Sequence, residues 1–287
     1  MMAKEGSEGM ALLKKDLPSG RSLEQIRNHY EVERAIADSL KKADREERKA
    51  IYATMYDLLL EKVPDHPRLT MRESKELTAR ANHSKMNLVK RFLNKSAVFV
   101  EFAPGDCHFA TKVSKRVRHV YGVDISDQRG KKHEARGNFE LIVYDGHHID
   151  LPDETADVVF SDQLIEHLHP EEVVDHFRLA ARLLRKGGVY VFRTPHRFSG
   201  PHDISGYFSD ESEGFHLKEW TYTELGEVLR MSDYNSWRGL FQVKGLCLEM
   251  PFIIFTMIEG MLKFLPRHWQ RSLTPHVLRG IAIAAYV

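Results

Sequence analysis

The sequence predicts an α/β protein built on a doubly wound, mostly parallel sheet of seven strands. Three observations support this fold class. From residue 96 onward, short apolar runs alternate with helical segments at the spacing of parallel crossovers. The runs are apolar on both faces, as expected for strands that helices cover on each side. Acidic residues follow several runs, at the edge where such sheets bind ligands.

The individual strands are located by these apolar runs. Five of them are AVFVEFA (97–103), HVYGVD (119–124), FELIVYD (139–145), DVVFS (157–161) and GVYVFRT (188–194). A sixth strand is predicted at WRGLFQV (237–243), and IAIAAYV (281–287) is predicted to be the last. Because helical segments separate the first five runs, we expect right-handed crossovers and a parallel order.

Residues 1–95 predict a helical annex without strands. Ser22 and Gln25 form a capping-box pair at the start of the first helix, and apolar residues then recur at helical spacing. A second helix follows, and a third begins at about Ser74. We expect this annex to form a lid over the domain made by residues 96–287.

The C-terminal part departs from regular alternation. A long connection, 198–220, precedes a helix that Thr221 or Thr223 caps. Residues 246–280 are expected to form a helical insertion, because 250–266 are apolar apart from one narrow polar face. This apolar segment has 17 residues with two charges and a glycine, too short and polar for a membrane span. We expect a pocket wall or a homodimer face, with an interfacial membrane contact as the alternative.

Composition excludes several classes of protein. Of 287 residues 42% are hydrophobic, and 42 Lys plus Arg against 41 Asp plus Glu leave a net charge of +1. A disordered chain and a globally basic, nucleic-acid-binding protein are therefore not expected. The two cysteines, Cys107 and Cys247, suit a reducing compartment, and the N-terminus lacks the apolar core of a secretory signal. These features predict a cytoplasmic protein with neither a nucleic-acid partner nor a stable membrane span.

The loop after the first strand, EFAPGDC (101–107), is the first candidate site. Small residues at a strand-to-helix turn let a ligand approach the backbone, and the helix N-terminus offers free N–H groups. The loop lacks the lysine and hydroxyl of a P-loop. Ala103, Gly105 and His108 stand at the three glycine positions of the dinucleotide fingerprint. A pyrophosphate ligand is therefore disfavoured.

Acidic residues also end the second and third predicted strands. Asp124 lies roughly 20 residues after the loop, where a carboxylate can accept hydrogen bonds from both hydroxyls of a ribose. Asp145 ends the third strand, and the fourth leads into SDQLIEHL. Strand-end acids suit a ligand that has ribose hydroxyls and amino groups but little negative charge. S-adenosylmethionine fits this description better than a nicotinamide dinucleotide.

From Ala97 to Val243 the sequence resembles the class I S-adenosylmethionine-dependent methyltransferases, especially the group related to ubiquinone and menaquinone biosynthesis enzymes. EFAPGDC resembles their first motif, SDQLIEHL their fourth-strand motif, and LLRKGGVYVFRTPHR their fifth strand with its preceding turn. FHLKEWTYTELGEVL and IAIAAYV are similar to their later helix and antiparallel last strand. The resemblance implies a Rossmann-like fold, with S-adenosylmethionine as the cosubstrate.

The resemblance also implies which residues surround the methyl donor. Glu101 is expected near the methionine amino group, and Asp124 at the ribose. Asp145 is expected at the adenine amino group, in a segment similar to the family's GDAEDLPF. Of the three motif glycines only Gly105 is present, and small residues take the other two positions. The full donor-binding set implied is Glu101, Ala103, Gly105, Asp124, Ile125, Asp145, Gly146, His147, Ser161 and Gln163.

The chain has 16 histidines, which suggest proton chemistry or metal binding. Methyl transfer to oxygen or nitrogen needs loss of a proton, for which a neutral imidazole is a suitable base. His167, His196 and His202 lie on the acceptor side of this fold and are the candidate catalytic residues, with Asp203 as an orienting partner of His202. His216 lies in the same connection, and each histidine also fits a structural role. No tight ligand spacing supports a metal site, so none is predicted.

Taken together, the sequence predicts methyl transfer to a small molecule, with an oxygen of a natural product, glycosyl or quinone- or lipid-like compound as the acceptor. Transfer to nitrogen or carbon is an alternative. A second alternative is a non-catalytic binding protein with the same fold. A nucleic-acid methyltransferase is disfavoured by the neutral charge and by SDQL after the fourth strand, where Asn/Asp-Pro-Pro-aromatic would be expected.

Overall fold

The computed structural model describes residues 14–18, 20–69, 74–129, 137–243 and 245–287. Its helices are α1 (Leu23–Lys42), α2 (Arg45–Lys62), α3 (Lys75–Val89), α4 (His108–Ser114), α5 (Val173–Leu183), α6 (Tyr222–Arg230), α7 (Phe252–Lys263) and α8 (Arg267–Val277). Its strands are β1 (Val98–Phe102), β2 (His119–Asp124), β3 (Phe139–Val143), β4 (Ala156–Asp162), β5 (Leu184–Thr194), β6 (Ser236–Val243), β7 (Leu246–Pro251) and β8 (Ile281–Tyr286). The N-terminal residues read for a secretory signal, and most of the polar segment between β2 and β3, lie outside the described residues.

The strands form one sheet in the order β3-β2-β1-β4-β5-β8-β6-β7. Pairs within the β3-β2-β1-β4-β5 part are parallel, whereas β8 runs antiparallel to β5 and β6. The chain order reverses between β1 and β4, so a crevice opens beyond the carboxyl ends of these strands. The predicted α/β fold class, with an antiparallel last strand, is confirmed.

Helices cover both faces of the sheet because successive strand residues point to opposite sides. Val100 of β1 belongs to the same buried cluster as Phe177 of α5 and Leu225 of α6. The adjacent Phe99 belongs to the cluster on the other face, together with Phe109 of α4. This two-sided burial explains why the central strands are continuous apolar runs.

Two helix starts agree with the caps predicted from sequence. At α1, the Ser22 side chain accepts a hydrogen bond from the N–H of Gln25, and the side-chain oxygen of Gln25 accepts one from the N–H of Ser22. At α6, Thr221 and Glu224 form the same reciprocal pair. Each box satisfies backbone donors that have no partner within the helix, and so fixes where the helix begins.

The structure differs from the prediction within 246–280. Leu246–Pro251 forms β7, an eighth strand paired with β6, in place of the start of a helical insertion. A short apolar run fits either a helix or a strand, and here the neighbouring β6 supplies the hydrogen bonds that favour a strand. Thr274 and Pro275 are typical of a helix start, but helix α8 begins earlier, at Arg267, directly after Pro266. Proline has no N–H to lose at a helix start, so Pro266 ends one helix and precedes the next.

A buried carboxylate anchors α7. Glu259 is 3% exposed and accepts hydrogen bonds from the N–H of Tyr222 at 2.6 Å and of Thr223 at 2.9 Å. These donors are unpaired N–H groups in the first turn of α6, where a negative charge is stabilised. Nε2–H of His196 donates to the same carboxylate at 2.8 Å. Glu259 therefore ties α7, α6 and the segment after β5 together.

The outer face of α7 is apolar and exposed. Ile253, Met257 and Met261 are each more than half exposed, one helical turn apart. The predicted homodimer face and membrane contact of this helix stay predictions. Across the described part of the chain, no helix is both long enough and apolar enough to cross a membrane.

We expect Glu259→Ala to lower the free energy of unfolding by about 3–5 kcal/mol, because it leaves His196 and two N–H groups of α6 unpartnered in the interior. Urea denaturation followed by circular dichroism measures the change. Met257→Ala, on the exposed face of the same helix, is the matched control and should stay within about 0.5 kcal/mol of wild type. Equal effects of the two variants would contradict this account of α7.

Candidate functional site

A cavity of about 550 Å³ lies at the carboxyl edge of the sheet. Residues that follow β1, β2 and β4 form one side of it, and α2 with the segment 66–68 and parts of 203–216 form the other. Its volume is typical of sites for small molecules. The residues that line it include Tyr52, Tyr56, His66, Arg68, Lys85, Ala103, Gly105, Asp124, Ile125, Gly146, His147, Asp162, Gln163, His167, Phe215 and His216. None of the residues of α7 contributes to the lining of this cavity, so the predicted pocket-wall role of that helix is wrong.

Helix α2 is held over the cavity by polar contacts to the segment after β4. Nε of Arg48 donates to Glu172 at 2.7 Å, and the hydroxyl of Tyr52 donates to the same carboxylate at 3.1 Å. The Tyr52 oxygen also accepts the N–H of His169 at 2.9 Å. Below α2, the Tyr56 and Phe215 rings meet edge to face at 5.7 Å. The predicted lid role of the annex stays a prediction.

The loop after β1 curls tightly around the donor side of the cavity. Ala103, Gly105 and Cys107 have φ of 51°, 57° and 59°, the left-handed region that glycine adopts most easily. The side chains at Ala103 and Cys107 therefore cost about 1–2 kcal/mol each in backbone strain. A Cβ added to Gly105 would lie 3.3 Å from the guanidinium of Arg68, so glycine allows this close approach.

Asp124 at the end of β2 is fixed by backbone donors. One carboxylate oxygen accepts the N–H of Ile125 at 2.8 Å, and the other accepts the N–H of Gly105 at 3.2 Å. Burial raises the pKa of Asp124, although these N–H groups oppose the shift. The hydrogen bond to Gly105 joins the β1 loop to the end of β2, which lies beside β1 in the sheet.

Glu101 of β1 is buried, with one oxygen lacking a partner. Its Oε1 lies 3.8 Å from Nζ of Lys85, whereas no described residue gives Oε2 a hydrogen bond. Burial raises the pKa of Glu101 to about 7, against the opposing charge of Lys85. A buried, unsatisfied carboxylate oxygen is destabilising in the free protein and is a suitable acceptor for a cationic ligand.

Lys85, Arg68 and Asp162 are site residues that sequence reasoning missed. Arg193 binds Asp162 through two nitrogens at 2.6 and 2.9 Å, and Nζ of Lys85 lies 3.5 Å from the same carboxylate. Although burial opposes ionisation, these cations lower the pKa of Asp162. Arg68 stacks on the Tyr56 ring at 4.6 Å. Nothing in a local pattern distinguishes these cations from the many surface lysines and arginines, because only the fold brings them to the cavity.

Of the three candidate catalytic histidines, only His167 lines the cavity. Its Nδ1–H donates to the carbonyl oxygen of Phe215 at 2.9 Å. Burial, together with the nearby ring of His216, lowers the pKa of His167 to about 3. His216 also lines the cavity, with its ring 5.0 Å from that of His167.

His196 and His202 lie outside the cavity lining. His196 is completely buried against Glu259, and His202 pairs with Glu219 through Nδ1 at 3.1 Å. Asp203 does not orient His202 by a hydrogen bond, because its carboxylate accepts backbone N–H groups, including that of Gly214. The side chains of His202 and Asp203 thus form hydrogen bonds with different residues of the connection 198–220. The sequence alone does not show this difference.

Most of the predicted donor-binding residues converge on the cavity. Ala103, Gly105, Asp124, Ile125, Gly146, His147 and Gln163 line it, whereas the buried Glu101 lies outside the lining. Ser161 instead shares a hydrogen bond with the Tyr190 hydroxyl at 2.7 Å, within the core. Asp145 accepts the N–H groups of His147 and His148 and lies 3.4 Å from Lys49, outside the lining. Despite some burial, these partners lower its pKa to about 2.

Comparison with known proteins places this cavity in a family context. Residues 100–192 match the family model described as a methyltransferase domain. A Mycolicibacterium smegmatis protein named "Probable S-adenosylmethionine-dependent methyltransferase" is 29% identical over 151 residues, covering 51% of this chain and 56% of that protein. An uncharacterized Geobacillus methyltransferase is 28% identical over 98 residues, 33% of this chain and 46% of that protein. The chain thus spans about half the length of these curated relatives.

Two solved structures share the fold. An S-adenosylmethionine-dependent methyltransferase from Archaeoglobus fulgidus has a TM-score of 0.51 at 20% identity, covering 81% of this chain and 99% of its own. A complex of the Haloferax volcanii Trm112 methyltransferase activator with a methyltransferase has a TM-score of 0.51 at 12% identity, covering 74% and 94%. Residues 100–192 are thus similar to a methyltransferase domain, and the chain has the fold of these two structures. S-adenosylmethionine is the methyl donor of the family that this model describes, and the matched residues include Glu101 and Asp124.

The raised pKa of Glu101 predicts how the stability of the protein depends on pH. An ordinary glutamate has a pKa of 4.5, so between this value and about 7 the folded chain holds a proton at Glu101 that the unfolded chain has lost. The proton bound at Glu101 therefore adds to the free energy of unfolding. This added stability is fully present below pH 4.5 and is lost as the pH rises to about 7. Glu101→Gln removes this loss.

We therefore expect the stability of Glu101→Gln relative to wild type to increase by about 2–3 kcal/mol between pH 5 and pH 8. Chemical denaturation of both proteins at each pH measures this difference. Glu140→Gln, at an exposed carboxylate on β3, is the control and should show the same difference at both pH values. A pH-independent difference for Glu101→Gln would contradict the assignment.

Proposed function

We propose that the protein transfers the methyl group of S-adenosylmethionine to a small-molecule acceptor, with oxygen as the methylated atom. The observation that carries this proposal is that one cavity joins the strand-end acids to an aromatic and histidine-lined space. The resemblance to ubiquinone and menaquinone biosynthesis enzymes supports a small, ring-containing acceptor. An aromatic, glycosyl or quinone-like compound fits walls that include Tyr52, Tyr56 and Phe215.

The charges on the donor side match those of S-adenosylmethionine. The unpartnered oxygen of Glu101 is suited to accept hydrogen bonds from the methionine ammonium group. We assign Asp124 to the ribose hydroxyls, and Gly146 with His147 to the adenine side. Lys85, 3.8 Å from Glu101, supplies a positive charge for the methionine carboxylate. In this proposal Asp145 shapes the turn that carries Gly146, and Ser161 stabilises the core.

The reaction requires little covalent chemistry from the protein. The acceptor oxygen forms a bond to the methyl carbon while the carbon–sulfur bond breaks, and the sulfur keeps the electron pair. S-adenosylhomocysteine leaves, and the hydroxyl proton passes to solvent or a base. The enzyme gains rate by aligning the acceptor with the methyl group and by excluding water. Closure of the annex over the cavity, the lid role proposed for residues 1–95, serves both needs.

His167 is better suited to orienting the acceptor than to taking its proton. A pKa of about 3 keeps its ring neutral at physiological pH, but a base this weak takes a hydroxyl proton inefficiently. Since Nδ1–H is used by the Phe215 carbonyl, the other ring nitrogen has a lone pair. We propose that this nitrogen accepts a hydrogen bond from the acceptor hydroxyl. His196 and His202 have no part in this proposal.

Donor binding tests the assignment of Asp124. We expect Asp124→Asn to weaken S-adenosylhomocysteine binding about 100-fold, because loss of charge-assisted hydrogen bonds to two hydroxyls costs about 3 kcal/mol. Isothermal titration calorimetry measures the dissociation constants. Asp150→Asn, at an exposed carboxylate outside the cavity, should bind as wild type does. Absence of binding to wild-type protein would overturn the proposed function itself.

Turnover distinguishes the proposed enzyme from its alternatives. Release of S-adenosylhomocysteine is measured with a panel of phenols, quinols, sugars and amines of similar size. We expect turnover with a hydroxyl compound and little with its deoxy or methoxy analogue. Turnover with amines alone would indicate nitrogen methylation. Tight donor binding without turnover on any compound would favour a binding protein that retains the fold.

A further inference from the structure

We propose that Glu166, His167 and His216 form a binding site for one divalent transition metal ion, at the acceptor end of the cavity. A carboxylate oxygen of Glu166 and one ring nitrogen from each histidine lie within 4.8 Å of one another. Both histidines line the cavity, and Glu166 is completely buried beside them. The sequence predicts no metal, because these ligands come from two distant segments that only the fold brings together.

Both rings are oriented as metal-binding histidines are. His167 makes its hydrogen bond through Nδ1 to the Phe215 carbonyl at 2.9 Å, and His216 through Nδ1 to Oε1 of Glu219 at 2.8 Å. A carbonyl or carboxylate oxygen can only accept, so each Nδ1 carries the hydrogen, and Nε2 has the lone pair whenever the ring is neutral. Although burial opposes it, the hydrogen bond to Glu219 raises the pKa of His216, so a metal ion would displace a proton from this ring. A backbone carbonyl or carboxylate behind the ring is the usual support of a ligating histidine.

The carboxylate supplies an independent observation. Oε2 of Glu166 accepts the Thr194 hydroxyl at 2.9 Å, whereas Oε1 has no hydrogen-bond partner among the described residues. Neither His167 nor His216 gives it one, so an ion pair with these rings does not satisfy it. A buried carboxylate oxygen left unpaired costs about 1–3 kcal/mol or more, and a bound cation would remove this cost.

A second cluster also has two histidines and one glutamate, but both carboxylate oxygens of its glutamate accept hydrogen bonds. His29, Glu33 and His66 also bring their ligand atoms within 4.8 Å of one another. Both oxygens of Glu33 have partners, Nε2–H of His29 at 2.7 Å and the N–H of Phe215 at 3.1 Å. The guanidinium of Arg21 lies 3.0 Å from Nδ1 of His29 and disfavours a cation. We expect this cluster to bind no metal.

Two imidazoles and one carboxylate suit a divalent first-row transition ion such as Mn²⁺, Fe²⁺, Co²⁺, Ni²⁺ or Zn²⁺ better than Mg²⁺ or Ca²⁺. Bonds of about 2.0–2.2 Å would draw the three ligands slightly closer together. Three protein ligands leave positions open for an acceptor oxygen, which would then bind the ion instead of donating a hydrogen bond to Nε2 of His167. An ion of this kind makes the proton of that oxygen easier to remove. This last role rests on the proposed function, whereas metal binding itself does not.

Cobalt binding tests the site without any methyl donor or acceptor. Tag-free protein is freed of metal with EDTA and titrated with Co²⁺, whose visible absorption reports coordination by nitrogen and oxygen. We expect one Co²⁺ per chain. Glu166→Gln and His167→Asn should each weaken binding more than about 100-fold, and Glu219→Gln, behind the His216 ring, about 10–100-fold. Glu33→Gln, the matched change in the satisfied cluster, should bind as wild type does.

The proposal is overturned if wild-type protein gives no Co²⁺ spectrum, or if Glu166→Gln and His167→Asn bind as tightly as wild type. Loss of binding in Glu33→Gln alone would overturn it as well. Circular dichroism shows which variants are folded. A folded Glu166→Gln or a folded His167→Asn is enough to test the metal site. Calorimetry with S-adenosylhomocysteine on the metal-free protein separates the two proposals. Donor binding without Co²⁺ binding rejects only the metal site, and Co²⁺ binding without donor binding rejects only the methyl-transfer function.

Discussion

Several carboxylates are buried at and behind the carboxyl edge of the sheet. Their ion pairs and hydrogen bonds determine how the surrounding helices pack. Asp162 draws Arg193 and Lys85 to the end of β4 and so docks α3 against the sheet. Glu172 draws Arg48 from α2, which places that helix over the cavity. Glu259 occupies the start of α6 and holds α7 in place. In each case a charge that would be costly alone determines which elements meet.

Glu101 and Glu166 are the exceptions that give the cavity its chemistry. Each is buried with one oxygen that has no hydrogen-bond partner among the described residues, and each lies next to residues that line the cavity. The first faces the donor side through β1, and the second follows β4 near the histidines of the acceptor side. Two buried carboxylate oxygens close to one cavity thus lack a hydrogen-bond donor among the described residues. In the two proposals a cation supplies the missing partner of each carboxylate: the methionine ammonium group at Glu101 and a metal ion at Glu166.

Sequence patterns were sufficient where local physics decides the structure. Apolar runs located β1 to β5, and the Ser22 and Thr221 boxes located the starts of α1 and α6. The site was predictable only in part, because strand order brings the β1 loop and Asp124 together but side-chain pairing is not local. Glu259 and His196 are far apart in the chain, yet their contact removes His196 from the acceptor side. Likewise β7 depends on β6 for its hydrogen bonds, which its own sequence does not reveal.

The left-handed residues of the β1 loop have a consequence for the entropy of ligand binding. Glycine at 103 and 107 would relax the strain but would let the loop sample many conformations when empty. Ala103 and Cys107 adopt the left-handed region against their own preference, so the surrounding contacts, including the hydrogen bond from Gly105 to Asp124, must hold the loop in the shape seen here. A loop that is already ordered loses little freedom when a ligand arrives. The chain gives up some folding stability there in exchange for a site that is formed before it is filled.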